Sequence, residues 1–82
     1  MSRFYAEGQF EGKDVIFAYG YDAPLQEYFL SAETKDDRWD LVGTLAGVYG
    51  GHYNLYGALV DNGVWGKIPA NHQFAIMGDL PF

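Results

Sequence analysis

The first half of this chain alternates apolar and polar residues with a period of two, and turn-forming residues interrupt the alternation at short intervals. Along residues 3–10, Phe4, Ala6, Gly8 and Phe10 point one way, while Tyr5, Glu7 and Gln9 point the other. This is the signature of a half-buried strand. Glu11-Gly12-Lys13-Asp14 is polar and contains glycine, so it reads as a tight hairpin turn. Residues 15–21 (VIFAYGY) have no polar face. Val15, Phe17, Tyr19 and Tyr21 form one row, and the run reads as a central strand. Asp22-Ala23-Pro24 breaks it. Residues 25–34 carry two patterns at once. Leu25, Tyr28, Phe29 and Ala32 fit helical spacing with Asp22 as a cap, and the same residues also alternate. The strand reading is adopted because Thr34-Lys35-Asp36-Asp37 then becomes a second hairpin loop. Residues 38–45 (RWDLVGTL) follow as a fourth strand, with Trp39, Leu41, Gly43 and Leu45 on one face. Strands joined by turns this short pair as an antiparallel meander.

After Ala46 the pattern changes. Residues 46–51 (AGVYGG) read as a loop, and Leu55, Ala58 and Leu59 suit a short helix with Asn54 at its start and Asn62-Gly63 as its stop. Pro69 fits the first turn of a second short helix, with Phe74 and Met77 at i, i+3, Ile76 nearby and Gly78-Asp79 ending it. Leu80-Pro81-Phe82 is an apolar tail expected to tuck against the body. The expected fold is α+β: a four-stranded antiparallel β-meander packed on two short C-terminal helices. It spans 1–82 as a single domain, and the other face of the sheet is left to solvent or a partner.

A chain of 82 residues buries only about 60–65% of its unfolded surface, so its core must be dense. Two tryptophans, seven tyrosines and six phenylalanines supply that density, and the absence of cysteine rules out disulfides and thiolate metal sites. Pairing through an open sheet edge makes a homodimer possible. The net charge of −6 disfavours direct binding to nucleic acid or to an anionic membrane and favours neutral or basic partners. Met1-Ser2-Arg3-Phe4 leads straight into alternating sequence, and no apolar run approaches the length of a membrane span. The expected location is cytoplasmic.

Chemistry-bearing motifs are sparse. His52 and His72 have no second ligand at i+3 or i+4, so neither a metal nor another cofactor is expected. No nucleophile has a surrounding motif, and Asp36, Asp37 and Asp40 lie in or beside a hairpin turn with Lys35 and Arg38. Gly47-Val48-Tyr49-Gly50-Gly51 lacks the Lys-Ser/Thr of a phosphate loop. The tyrosines outnumber what so small a body can bury with satisfied hydroxyls, and a surplus of tyrosine and tryptophan marks binding surfaces. The expectation is a non-enzymatic protein-binding module that contacts a larger basic protein. Its contact set is Tyr21, Asp22, Glu27, Asp36, Asp37, Trp39 and Tyr49. One alternative is a small-molecule pocket lined by Tyr28, Tyr53, Tyr56 and Trp65. Another is a small enzyme using His52 or His72 with Asp79.

The segment Tyr19-Gly20-Tyr21-Asp22-Ala23-Pro24-Leu25-Gln26-Glu27-Tyr28-Phe29-Leu30 and the ending HQFAIMGDLPF, His72 to Phe82, resemble small bacterial or phage-type proteins. In size, acidity and lack of catalytic motifs the chain is similar to phage-encoded inhibitors of the anti-CRISPR type. That resemblance implies an inhibitor that occupies the nucleic-acid-binding surface of a larger protein. It assigns no individual residue.

Overall fold

The computed structural model describes residues 2–82. Four strands come first: β1 (Phe4–Phe10), β2 (Lys13–Asp22), β3 (Glu27–Glu33) and β4 (Arg38–Val42). They pair antiparallel in the order β1-β2-β3-β4. A 3-10 turn (Thr44–Ala46), helix α1 (His52–Asp61), a second 3-10 turn (Trp65–Lys67) and helix α2 (Ala70–Met77) complete the chain. This is the expected α+β meander with two C-terminal helices, and the strand reading of residues 25–34 holds.

The turns explain the strand boundaries. Glu11 and Gly12 both take positive φ (51° and 78°) between the paired residues Phe10 and Lys13, which is the two-residue turn whose twist matches a β-hairpin. Pro24 occupies the second position of the next turn, which the Gln26 amide closes onto the Ala23 carbonyl at 3.1 Å. In the third turn the Thr34 hydroxyl accepts from the Asp36 and Asp37 amides at 3.3 and 3.0 Å.

The sheet buries one face against the helices. Cross-strand register places Ala6, Phe17, Ala32 and Trp39 in one row, so small and large residues alternate across the sheet. The next row is Phe4, Tyr19, Leu30 and Val42. Phe17, Tyr19 and Leu30 pack with Leu55 and Leu59 of α1, with Val64 and Ile68 of the connector, and with Ile76 of α2. Gly8 lets this layer close, because a Cβ there would stand 2.8 Å from the Phe17 ring and 3.1 Å from Val64.

Several expectations about the second half are corrected. The fourth strand does not run to Leu45. A register shift between Leu30 and Ser31 brings Val42 opposite Leu30, on the same face as Trp39, and Gly43 then turns the chain with φ 108°. Leu45 consequently sits on the 3-10 turn, 77% exposed. Asn54 is not the cap of α1. Gly51 holds that position, and the Asn54 amide reaches back to the Tyr49 carbonyl at 2.6 Å. The stop at Asn62-Gly63 forms as expected: the Gly63 amide bonds the Val60 carbonyl and the Val64 amide the Leu59 carbonyl, with Gly63 at φ 71°. Pro69 caps α2 from just outside it. Phe74 and Met77 face solvent, and Ile76 alone of α2 is fully buried.

Two substitutions test this account. Gly8→Ala should cost about 1–3 kcal/mol through overpacking against Phe17, read as a lower urea midpoint with an unchanged slope. Glu11→Asn places a residue tolerant of positive φ ahead of Gly12 and should stabilise by roughly 0.5–1 kcal/mol. It should raise the melting temperature by about 2–8 °C.

Candidate functional site

The sheet face turned away from the helices holds six of the chain's eleven acidic residues. Register puts Glu7, Ile16 and Glu33 in one row, Tyr5, Ala18, Ser31 and Asp40 in the next, and Asp22 opposite Glu27 at the end. With Asp14, six carboxylates share this face with the guanidiniums of Arg3 and Arg38. Both guanidiniums are engaged internally. Arg3 pairs with Glu33 at 2.8 Å and lies over the rings of Phe29 and Tyr5 at 5.6 and 5.8 Å, and Arg38 pairs with Asp40 at 3.0 Å. The hydroxyl of buried Ser31 donates to Glu33 at 3.0 Å, fixing that carboxylate from a second side. Among the described residues, no basic side chain forms an ion pair with Glu7, Asp14, Asp22 or Glu27. Exposed Tyr5 and Ile16 supply apolar surface between them.

The seven residues expected as a contact set divide among four places. Asp22 and Glu27 stand opposite each other on the acidic face. Asp36 and Asp37 lie in the β3–β4 turn, at the other end of the sheet. Glu27 is also engaged within the fold. Its two oxygens accept from the Thr44 amide, each at 3.1 Å, and one accepts from the Thr44 hydroxyl at 2.9 Å. It thereby ties the first 3-10 turn to the start of β3. Trp39 is on the opposite, helix-covered face, packed against Phe10 at 5.4 Å beneath Lys13. Tyr21 is on that side too, edge-on to Tyr28 with centroids 5.0 Å apart. Tyr49 stands on the glycine-rich loop, 82% exposed.

Tyr21 and Tyr49 do meet in a second feature. They line a groove of about 470 Å³ with Tyr28, His52, Tyr53 and Asp79. At its floor the Tyr28 hydroxyl donates to Asp79 at 3.0 Å. Burial, and then the adjoining Asp79 carboxylate, push the Tyr28 hydroxyl well above the ordinary tyrosine range. His52 donates from Nδ1 to the Ile76 carbonyl at 2.9 Å. Tyr56 and Trp65 are not in this groove. They pack edge-to-face on each other, 4.8 Å between centroids.

His72 belongs to the core side. Its Nδ1 lies 2.7 Å from the Tyr19 hydroxyl, and its ring stands beside those of Phe4 and Phe82, at 4.1 and 5.2 Å. Tyr19 is 1% exposed, so its hydroxyl proton would be stranded unless it donates to Nδ1. Burial raises the Tyr19 hydroxyl to about 12 and lowers His72 below its ordinary value. Neither histidine bonds Asp79, whose carboxylate is held by Tyr28. Among the described residues no three His, Asp or Glu side chains converge as metal ligands, and no helix is long and apolar enough to cross a membrane. The chain matches no family model, no curated protein and no solved structure.

Glu7, Asp14, Glu33, Tyr5 and Phe29 belong to the acidic face and are absent from the contact set read from the sequence. The signal for them is parity. Once β1–β3 pair, the acidic positions of all three strands fall on one face.

The Tyr19–His72 pair predicts acid sensitivity. His72 is neutral in the fold and binds its proton less readily than the unfolded chain does. Stability is therefore complete above the unfolded histidine pKa of about 6.5 and is lost as pH falls below it. The urea midpoint should drop between about pH 7 and pH 5. In Tyr19→Phe/His72→Phe, which removes donor and acceptor together, that drop should be much smaller.

Proposed function

We propose that this chain is a non-enzymatic protein-binding module that presents its helix-free sheet face to a basic surface on a larger protein. A nucleic-acid-binding surface has the required charge, so the module would act as an inhibitor by occupying it, in the cytoplasm. The observation that carries the reading is the distribution of charge. Six carboxylates share one sheet face with two guanidiniums that are both already paired. A surface built this way steers a basic partner and sets its register, while Tyr5 and Ile16 add contact area. The turn acids Asp36 and Asp37 extend the same field to the end of the sheet.

A small-molecule reading has one observation in its favour, the tyrosine groove, which has the volume of a ligand site and a convergent hydroxyl–carboxylate pair. A compound that raises the melting temperature of wild type but not of Tyr53→Ala would support it.

The module reading is tested by capture from lysate with wild type and with Glu7→Lys/Asp14→Lys, two replacements on the acidic face. Wild type should retain a basic protein whose binding weakens at least about tenfold between roughly 0.05 and 0.3 M salt, as screening predicts. Added nucleic acid should compete for that protein, and the lysine variant should not retain it. Retention that ignores salt and survives the double replacement would exclude the charge-based mode.

A further inference from the structure

At one end of the acidic face, the sheet is notched. β4 stops at Val42, and the 3-10 turn Thr44–Ala46 swings outward, held by Glu27. The β2–β3 turn projects beside it. Between them is a cleft of about 230 Å³ walled by Leu25, Phe29, Val42 and Leu45, with Asp22 and Asp40 at its rim. Leu25 and Leu45 are 58% and 77% exposed, large apolar side chains that the fold leaves in water. The volume is below the roughly 300–1,000 Å³ of a small-molecule site, but it accommodates one aliphatic or aromatic side chain.

Asp22 adds a second element. It faces Glu27 directly across the β2–β3 pair, and like charges so placed repel. Glu27 commits its oxygens to Thr44, whereas Asp22 has, among the described residues, only a long 3.4 Å contact from the Leu25 amide. A cation arriving at Asp22 would relieve the repulsion and would stand beside the apolar cleft. Arg38 and Arg3 also line the cleft, and their charges are already paired with Asp40 and Glu33.

We propose that this cleft anchors one large apolar side chain of the partner, carried in a segment whose neighbouring lysine or arginine pairs with Asp22. The inference rests on the module reading above and adds to it the sequence character of the bound segment: a basic stretch interrupted by a single leucine-sized residue. Such a side chain would leave water on entering the cleft, which makes it the dominant contact in an interface otherwise made of screened charges.

The test is a double-mutant cycle between protein and peptide. Two labelled lysine/arginine peptides, one with a central leucine and one with alanine in its place, are titrated by fluorescence anisotropy. Wild type should bind the leucine peptide at least about tenfold more tightly, the factor that burial of the side chain implies. In Leu25→Ser/Leu45→Ser, two exposed positions whose replacement leaves the core intact, the two peptides should bind within about twofold of each other. Glu7→Gln/Asp14→Asn, at the far end of the same face, should weaken both peptides equally and keep the preference for leucine. Asp22→Asn should reduce the salt dependence of binding. Equal, salt-sensitive binding of both peptides by wild type would overturn the cleft and leave the charge reading standing. Failure to bind either peptide would overturn both.

Discussion

One buried hydroxyl ties the two halves of this molecule together. Tyr19 sits on β2, the central strand that contacts both β1 and β3, and its ring fills the core between Phe4 and Leu30. Its hydroxyl passes through the core to His72 on α2, where Phe4 and Phe82 enclose the pair. A hydroxyl buried this deeply must find a partner, and an apolar core offers few. Helix α2 therefore docks where its histidine meets the tyrosine. The C-terminal residue Phe82 stacks on Phe4 and closes the same box. Sheet, second helix and tail thus share one polar contact inside an aromatic shell.

That attachment decides which face of the sheet is left open. With both helices on the side of Phe17 and Tyr19, the opposite positions of every strand form a face that no helix covers. Those positions carry Glu7, Asp14, Asp22, Glu27, Glu33 and Asp40. Ala18 and Ser31 lie between them, fully buried although no helix covers them. The longer side chains of Arg3, Tyr5, Glu33 and Asp40 form the roof, so the outer face is a second, charged layer with its own packing. Arg3 holds it by bonding Glu33 and lying over Phe29 and Tyr5.

The meander was legible in the sequence because alternation and turn chemistry are local. Glu11-Gly12, Pro24 and the Thr34 turn each act within four residues, and each lies where the pattern places it. Features set by distant contacts were not legible. The bulge that turns Val42 inward depends on pairing with Leu30, and Glu27 reaches Thr44 across seventeen residues. Phe74 and Met77 have helical spacing, yet α2 rotates Ile76 inward, because His72 must meet Tyr19. Trp39 could be assigned a strand but not a face without knowing that Ala32 beside it leaves room for its ring and for Phe10. The acidic character of the open face needed only one further step, the register, which converts six scattered acids into one surface.

The charge on that surface has an energetic consequence. Asp22 facing Glu27 is an arrangement that destabilises a sheet relative to a pair of opposite charges. A small domain has little stability in reserve. Glu7 and Asp14 could be neutral without disturbing a core contact, because neither side chain belongs to the buried cluster. Sequences that depart from local optima tend to do so where function requires it. The departures here are concentrated on one face, and the apolar residues left in water, Leu25 and Leu45, adjoin that face at its notched end. A cationic partner removes both penalties together: its charges offset the repulsion between the acids, and one apolar side chain covers the leucines. The same features that weaken the isolated domain are those that a basic, leucine-bearing surface would stabilise.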